Sequence, residues 1–303
     1  YPLSKASTEK GGWARVRFCI EVDGSVSNVA VVDTSAYGES FGQAARDAIS
    51  QWTYATPMAG GKPQRFCEAE LRYHFFIVRR FGLSHSFVSK HRQIVADVRG
   101  GRLGEAEREI EALFASENLN GMEYDRLYML QAALFNEKGD FEAARVALSR
   151  VLDIPSAHMD RKEEGAALRS YFMLLFDQKL YGAALKTLVR LEGLGVLKPD
   201  DPIAQAGAAI RKARAGGERF AVRARITDAC DCDMPFYRYE PLNREIGLQK
   251  VSGTVDRVSM ACTAHIATID YEPGWSWRAP ESYGECSVFI YGTPGTTFEI
   301  VEY

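Results

Sequence analysis

The chain has 303 residues, of which 46% are apolar and 25% charged, with a formal net charge of −3. That length suffices for two or three cores at roughly 100–150 residues each, and the composition is that of an ordinary globular protein rather than a disordered or fibrous one. Acidic and basic residues are interspersed throughout, which argues against a nucleic-acid surface and against an anionic-membrane anchor. The longest strongly apolar stretch, residues 171–176, falls far short of the roughly 20 residues of a membrane-spanning helix. No charged-then-apolar secretion signal precedes Tyr1, so the chain is expected to be soluble as it stands and its abrupt start to be a trimmed one.

In the first segment Val16, Phe18, Ile20 and Val22 alternate with Arg15, Arg17, Cys19 and Glu21, the period of a strand with one apolar face. Asp23-Gly24 suits a tight hairpin turn, and a second strand is expected over residues 26–34. Phe41, Ala44, Ala45, Ala48, Ile49 and Trp52 form a helical apolar stripe, with Ser40 and Gln43 spaced as a capping box. Pro57 and Gly60-Gly61 end that region. A third strand follows, with Ala69, Leu71, Tyr73 and Phe75 on one face and Glu68, Glu70, Arg72 and His74 on the other. This order predicts a small antiparallel sheet with its helix on one face, the charged face being left to solvent or a partner.

The middle of the chain is helical and repetitive. Leu103-Gly104-Glu105-Ala106, Phe141-Glu142-Ala143-Ala144 and Tyr181-Gly182-Ala183-Ala184 recur at spacings of 38 and 40 residues. Gly101 and Gly139 precede the first two. A large apolar residue three before a small alanine is what a helix needs where a neighbour crosses closely. Pairs of antiparallel helices at this period resemble a tetratricopeptide-like solenoid, with three pairs over residues 87–194 and a capping helix over 203–215.

After Gly216-Gly217, strands are expected over residues 220–226, 248–258, 260–269, 287–291 and 297–301, bounded by Gly, Pro and Asp turns. They predict an all-β sandwich or barrel. The fold class is therefore multidomain α+β, with boundaries expected at 1–77, 87–215 and 218–303 and linkers at 78–86 and 215–218.

The six cysteines are Cys19, Cys67, Cys230, Cys232, Cys262 and Cys286, all in the β-like ends. An even count so placed suits disulfides in an oxidising compartment, against buried free thiols as the alternative. Cys262 shares parity with Met260 and Ile266, and Cys286 with Val288 and Ile290, so a bridge between neighbouring strands is feasible. Cys19 and Cys67 start on opposite faces and need a bulge near Cys67 to meet. Cys230, Cys232, Cys262 and His265 together offer four zinc-type ligands, but a disulfide competes for Cys262, and the reading is no metal and no cofactor.

No catalytic signature occurs: there is no Gly-x-Ser-x-Gly elbow, no His-Glu-x-x-His helix and no phosphate-binding glycine loop. The histidines at 74, 85, 91, 158 and 265 are scattered, and a non-enzymatic protein is expected. Tyr271, Trp275, Trp277 and Tyr283 cluster near the end, better read as packing for a small β-domain than as a ligand platform.

The first segment resembles the C-terminal domain of TonB, the energy transducer of Gram-negative bacteria. Tyr1-Pro2, Gly12, the alternating strand through Val22 and Asp23-Gly24-Ser25-Val26 carry the resemblance. So do Asn28-Val29, Val31-Val32, Phe41 with Ala44-Ala45, the helix end at Trp52, Pro57 and Gly61-Lys62-Pro63. The resemblance implies a periplasmic domain, tethered to the inner membrane by an upstream helix and coupled through that helix to inner-membrane motor proteins. It implies binding of a TonB-box peptide from a TonB-dependent outer-membrane transporter, by strand addition to the third strand. By position the peptide site would comprise Gln64, Arg65, Phe66, Cys67, Glu68, Ala69, Glu70, Leu71, Arg72 and Tyr73, with Tyr1 and Pro2 nearby.

A TonB protein ordinarily ends just after this domain, whereas here most of the chain follows it. The added helices would either cover the edge or supply a second surface for a protein partner. A periplasmic scaffold or adaptor without force transmission is therefore the alternative expectation. A periplasmic enzyme or zinc protein built on the last segment is the third, from a different class.

Overall fold

The computed structural model describes residues 12–35, 38–59, 61–75, 82–116, 119–152, 159–227, 235–263 and 265–303. Strands β1 (Gly12–Ile20), β2 (Val26–Thr34) and β5 (Phe66–Phe75) form an antiparallel sheet in the order β2-β1-β5. Helix α1 (Gly38–Ile49) packs on one face, where Phe41, Ala45 and Ile49 meet Ala14, Val16, Phe18 and Phe75. The alternation of β1 dictates this, since every second residue must leave water together.

The β1–β2 hairpin closes through the Glu21 amide on the Ser25 carbonyl (2.8 Å) and the Gly24 amide on the Glu21 carbonyl (2.9 Å). Of Asp23-Gly24 only the glycine takes positive φ, at +83°, as in a turn of three residues rather than two. Helix α1 already begins at Gly38, so Ser40 lies inside its first turn rather than at its N-cap position. The Gln43 amide instead donates to Asp47 one turn on (2.6 Å). Met58–Ala59 (β3) and Lys62–Pro63 (β4) make the short hairpin that leads into β5.

Three helix pairs follow: α2 (His85–Arg99) with α3 (Leu103–Phe114), α4 (Gly121–Glu137) with α5 (Phe141–Leu152), and α6 (Arg161–Asp177) with α7 (Tyr181–Leu194). Helix α8 (Pro202–Ala215) closes the array. Each recurring motif opens the second helix of its pair, and Ala106, Ala144 and Ala184 are fully buried where the neighbours cross. Gly101 (φ +74°) and Gly139 (φ +76°) make the turn into that helix, and Lys179 takes the same position in the third pair at φ +60°. Its left-handed backbone explains why the motif stays recognisable there without a glycine. No helix of the described residues is long and apolar enough to cross a membrane.

The last segment is a sandwich of two four-stranded antiparallel sheets, ordered β10-β9-β12-β7 and β11-β8-β13-β6. Its strands are β6 (Phe220–Arg225), β7 (Phe236–Tyr239), β8 (Glu245–Ser252), β9 (Val255–Cys262), β10 (Ile266–Asp270), β11 (Ser276–Arg278), β12 (Cys286–Gly292) and β13 (Thr297–Glu302). Two expected strands prove to be hairpins. The run 248–258 breaks at Gly253, whose φ of +109° no ordinary strand residue adopts. The run 260–269 breaks after Cys262, where the Cys262 amide bonds the His265 carbonyl (2.8 Å). The short edge strands β7 and β11 escaped the pattern, four and three residues giving too few alternations to read.

Val258, Met260, Val288 and Ile290 of one sheet face Ile246, Leu248, Phe298 and Ile300 of the other in a core continuous with that of α5–α8. The partly buried Tyr271, Trp275 and Trp277 pack against its margin.

Candidate functional site

Strand β5 is a sheet edge. Among the described residues its only strand partner is β1, and its second side meets no other strand of the sheet. An edge of this kind presents unpaired amides and carbonyls to an incoming strand. Gln64 precedes it, with its amide on the Pro57 carbonyl (2.8 Å). Exposed Arg65 pairs with Glu21 (2.8 Å), whose carboxyl lies below its ordinary range through the Ser27 hydroxyl first and then Arg65. Phe66, Ala69, Leu71 and Tyr73 turn toward α1. Tyr1 and Pro2 lie outside the described residues.

A bulge lies at Cys67. Phe18 stands opposite Ala69 and Ile20 opposite Phe66, so β5 spends one residue more than β1 across this interval. The extra residue switches Cys67 to the face of Cys19, and the two form a disulfide. In the sandwich Cys262 and Cys286 stand directly opposite on β9 and β12 and are bridged as well. Cys262 is thereby taken from any zinc set, and the described residues contain no group of three or more His, Cys, Asp or Glu able to hold a metal. Cys230 and Cys232 lie outside the described residues.

The charged face of the sheet does not face solvent. Arg17, Glu68 and Arg72 are 7%, 8% and 7% exposed, because the rest of the chain packs on them. Arg17 donates to the Tyr291 hydroxyl, and that hydroxyl donates to Glu68 (3.0 Å). The Arg17 guanidinium lies 4.0 Å from the Phe236 ring centre. Tyr291 belongs to the outward face of β12, the parity opposite to Val288 and Ile290, so this is sheet against sheet. Burial first, and then the Glu68 charge, holds its phenol protonated well beyond the ordinary tyrosine range.

The helices close on the same face from the other end. Arg150 of α5 pairs with Asp33 of β2 (2.8 Å). Trp13 packs tilted against Tyr128 of α4, and Arg72 lies over the Trp13 ring at 3.8 Å. Burial raises the Tyr128 phenol to about 12. A cavity of about 600 Å³ remains where Glu70, Leu71 and Arg72 of β5 face α5–α7 and β7.

One residue carried the signal for this covered face. Trp13 shares parity with Arg15, Arg17 and Cys19, and a tryptophan heading a charged face is surface too apolar to leave in water. The residues that cover this face, Tyr128 against Trp13 and Phe236 and Tyr291 against Arg17, had no mark in the sequence, since long-range contacts have no local period.

The fold so defined is a small α+β module, with β5 at the edge of its sheet among the described residues, fused to paired helices and a β-sandwich. Residues 1–77 match the family model of the Gram-negative bacterial TonB protein C-terminal. The match spans about a quarter of the chain. Among curated proteins, none matches this chain.

Proposed function

We propose that this is a non-catalytic periplasmic protein of TonB type, which takes a TonB-box peptide of an outer-membrane transporter as an added strand along β5. The observation that supports the reading is that, among the described residues, β5 has no strand on its second side, within the segment similar to the TonB C-terminal domain. Backbone hydrogen bonds would supply most of the affinity, so little is asked of the peptide's sequence. Two disulfides fit an oxidising compartment. An inner-membrane anchor and a motor partner follow from the same resemblance.

A second reading has its own support. The face behind β5 is occupied by the chain's own helices and sandwich, which makes the domain part of a larger frame. The paired helices, at tetratricopeptide-like period, would then hold a protein partner, and the whole would act as a scaffold or adaptor without energy transduction.

Titration of the full chain with TonB-box peptides from the same organism, followed by amide NMR, separates the two. Shifts running along Gln64, Arg65, Phe66 and on to Tyr73 support strand addition. Absence of shifts at millimolar peptide rejects it and moves the search for a partner to the helices.

A further inference from the structure

At Gly182 the sandwich meets helix α7 without side chains in between. A Cβ built on Gly182 would lie 2.1 Å from the Glu240 carbonyl oxygen, so the helix backbone rests directly on residues 240–241. Lys186, one turn on, pairs with Glu240 (2.5 Å). Beside this seam opens a cleft of about 380 Å³ between α7, α8, the loop at 241–244 and the start of β8, a size that suits a small ligand.

Its lining is rich in cations. Lys186, Arg211, Arg214 and Arg244 contribute four cations against the single carboxylate of Glu285, in a chain whose net charge is −3. Lys186 and Arg211 are paired with Glu240 and Glu192. Arg214 and Arg244 have no carboxylate within ion-pair distance among the described residues. Leu185, Leu242, Ile246 and Trp277 supply an apolar wall.

The loop that carries Arg244 is held in place beforehand. Glu302 shares the inward parity of Phe298 and Ile300 and is fully buried at the end of β13. Its carboxylate accepts from the Tyr239 hydroxyl (2.5 Å), the Leu242 amide (3.0 Å) and the Asn243 amide. The Asn243 side chain donates to the Glu218 carbonyl (3.1 Å). Arg244 itself is pinned at both ends, its carbonyl receiving the Ala279 amide (2.7 Å) and its Nη1 donating to the Pro280 carbonyl (3.1 Å). Fixing a cation on a rigid loop removes much of the ordering cost of binding.

We propose that this cleft binds a small organic oxyanion, a carboxylate or phosphate monoester with an apolar body. The arginine forks would take the oxyanion and the Trp277 side the apolar part. The site is separate from β5, and the proposal stands whether or not a peptide adds there.

The test is calorimetric titration of the full chain with benzoate, phenyl phosphate and, as the neutral counterpart, benzyl alcohol. Saturable millimolar binding of either anion is expected, with the alcohol about tenfold weaker, the equivalent of roughly 1.4 kcal/mol. If only one anion saturates, the proposal holds with the ligand narrowed to that oxyanion. Arg214→Gln and Arg244→Gln should each weaken binding about tenfold, while Arg108→Gln on α3 leaves it unchanged. Arg214 is exposed and its side chain makes no hydrogen bond among the described residues, so its replacement tests the site without unfolding it. No saturation by about 20 mM anion, equal binding of the alcohol, or unaltered binding by the Arg214 variant overturns the proposal.

Discussion

Arg17 and Tyr291, 274 residues apart in sequence, share a buried hydrogen bond that ties the first sheet to the last. Because the same hydroxyl also serves Glu68, its removal leaves a buried guanidinium and a buried carboxylate each short of a partner. Tyr291→Phe should therefore cost about 1–3 kcal/mol, read as a shift in urea midpoint, and should open the junction to limited proteolysis. A variant within about 0.5 kcal/mol of the parent, in the range of ordinary surface changes, would show that this contact does not hold the two sheets together.

The Cys19–Cys67 bridge closes a separation of 48 residues across the β5 bulge. Replacing both cysteines by serine should lower stability by about 2–4 kcal/mol, mainly by freeing the unfolded chain. Thermal melts of the parent with and without reductant should differ in the same sense. Coincident melts would mean that the bulge and the packing around it carry the strand pairing alone.

Gly104 and Gly182 hold the same place in two repeats but answer to different demands. A Cβ at Gly104 meets nothing within 4 Å, whereas at Gly182 it collides with backbone of the sandwich. Gly104→Ala should stabilise by about 0.5–1 kcal/mol through helix propensity. Gly182→Ala should destabilise instead, because residues 240–241 must move away from α7. Equal effects in chemical denaturation would remove the claim that the seam is a backbone-to-backbone contact.

Burial raises the Glu302 carboxyl above its ordinary 4.5, against the lowering pull of the Tyr239 hydroxyl, the Asn243 and Leu242 amides and Arg214. An acid with a raised folded pKa binds its proton more tightly when folded, so its contribution is complete below about 4.5. It is lost as pH rises through the folded value. Stability should thus fall as pH climbs out of the ordinary carboxylate range, and Glu302→Gln should flatten that fall. Parallel urea-midpoint profiles for the two proteins between pH 4 and 8 would be inconsistent with this assignment.

The period of a strand and of a helix is local, and it carried far. The alternation around Val16, Phe18 and Ile20, the stripe from Phe41 to Trp52 and the repeat at Ala106, Ala144 and Ala184 marked the first strand, the first helix and the second helix of each pair. Even the bulge at Cys67 followed from parity, since two cysteines on opposite faces cannot bond without one. The pairing of Cys262 with Cys286 was legible for the same reason.

What lay beyond the sequence was which surfaces meet. Arg15, Arg17, Glu68 and Arg72 have the pattern of a solvated face, and only packing against Tyr128, Phe236 and Tyr291 turns that face into an interface. The cationic cleft likewise joins Lys186, Arg214 and Arg244 from a helix pair, a last helix and a sandwich loop, none of which predicts the others. Periodicity records how each segment divides its own residues between core and water. The choice between water and another segment depends on shape and charge complementarity across hundreds of residues, which the chain expresses only once it is folded.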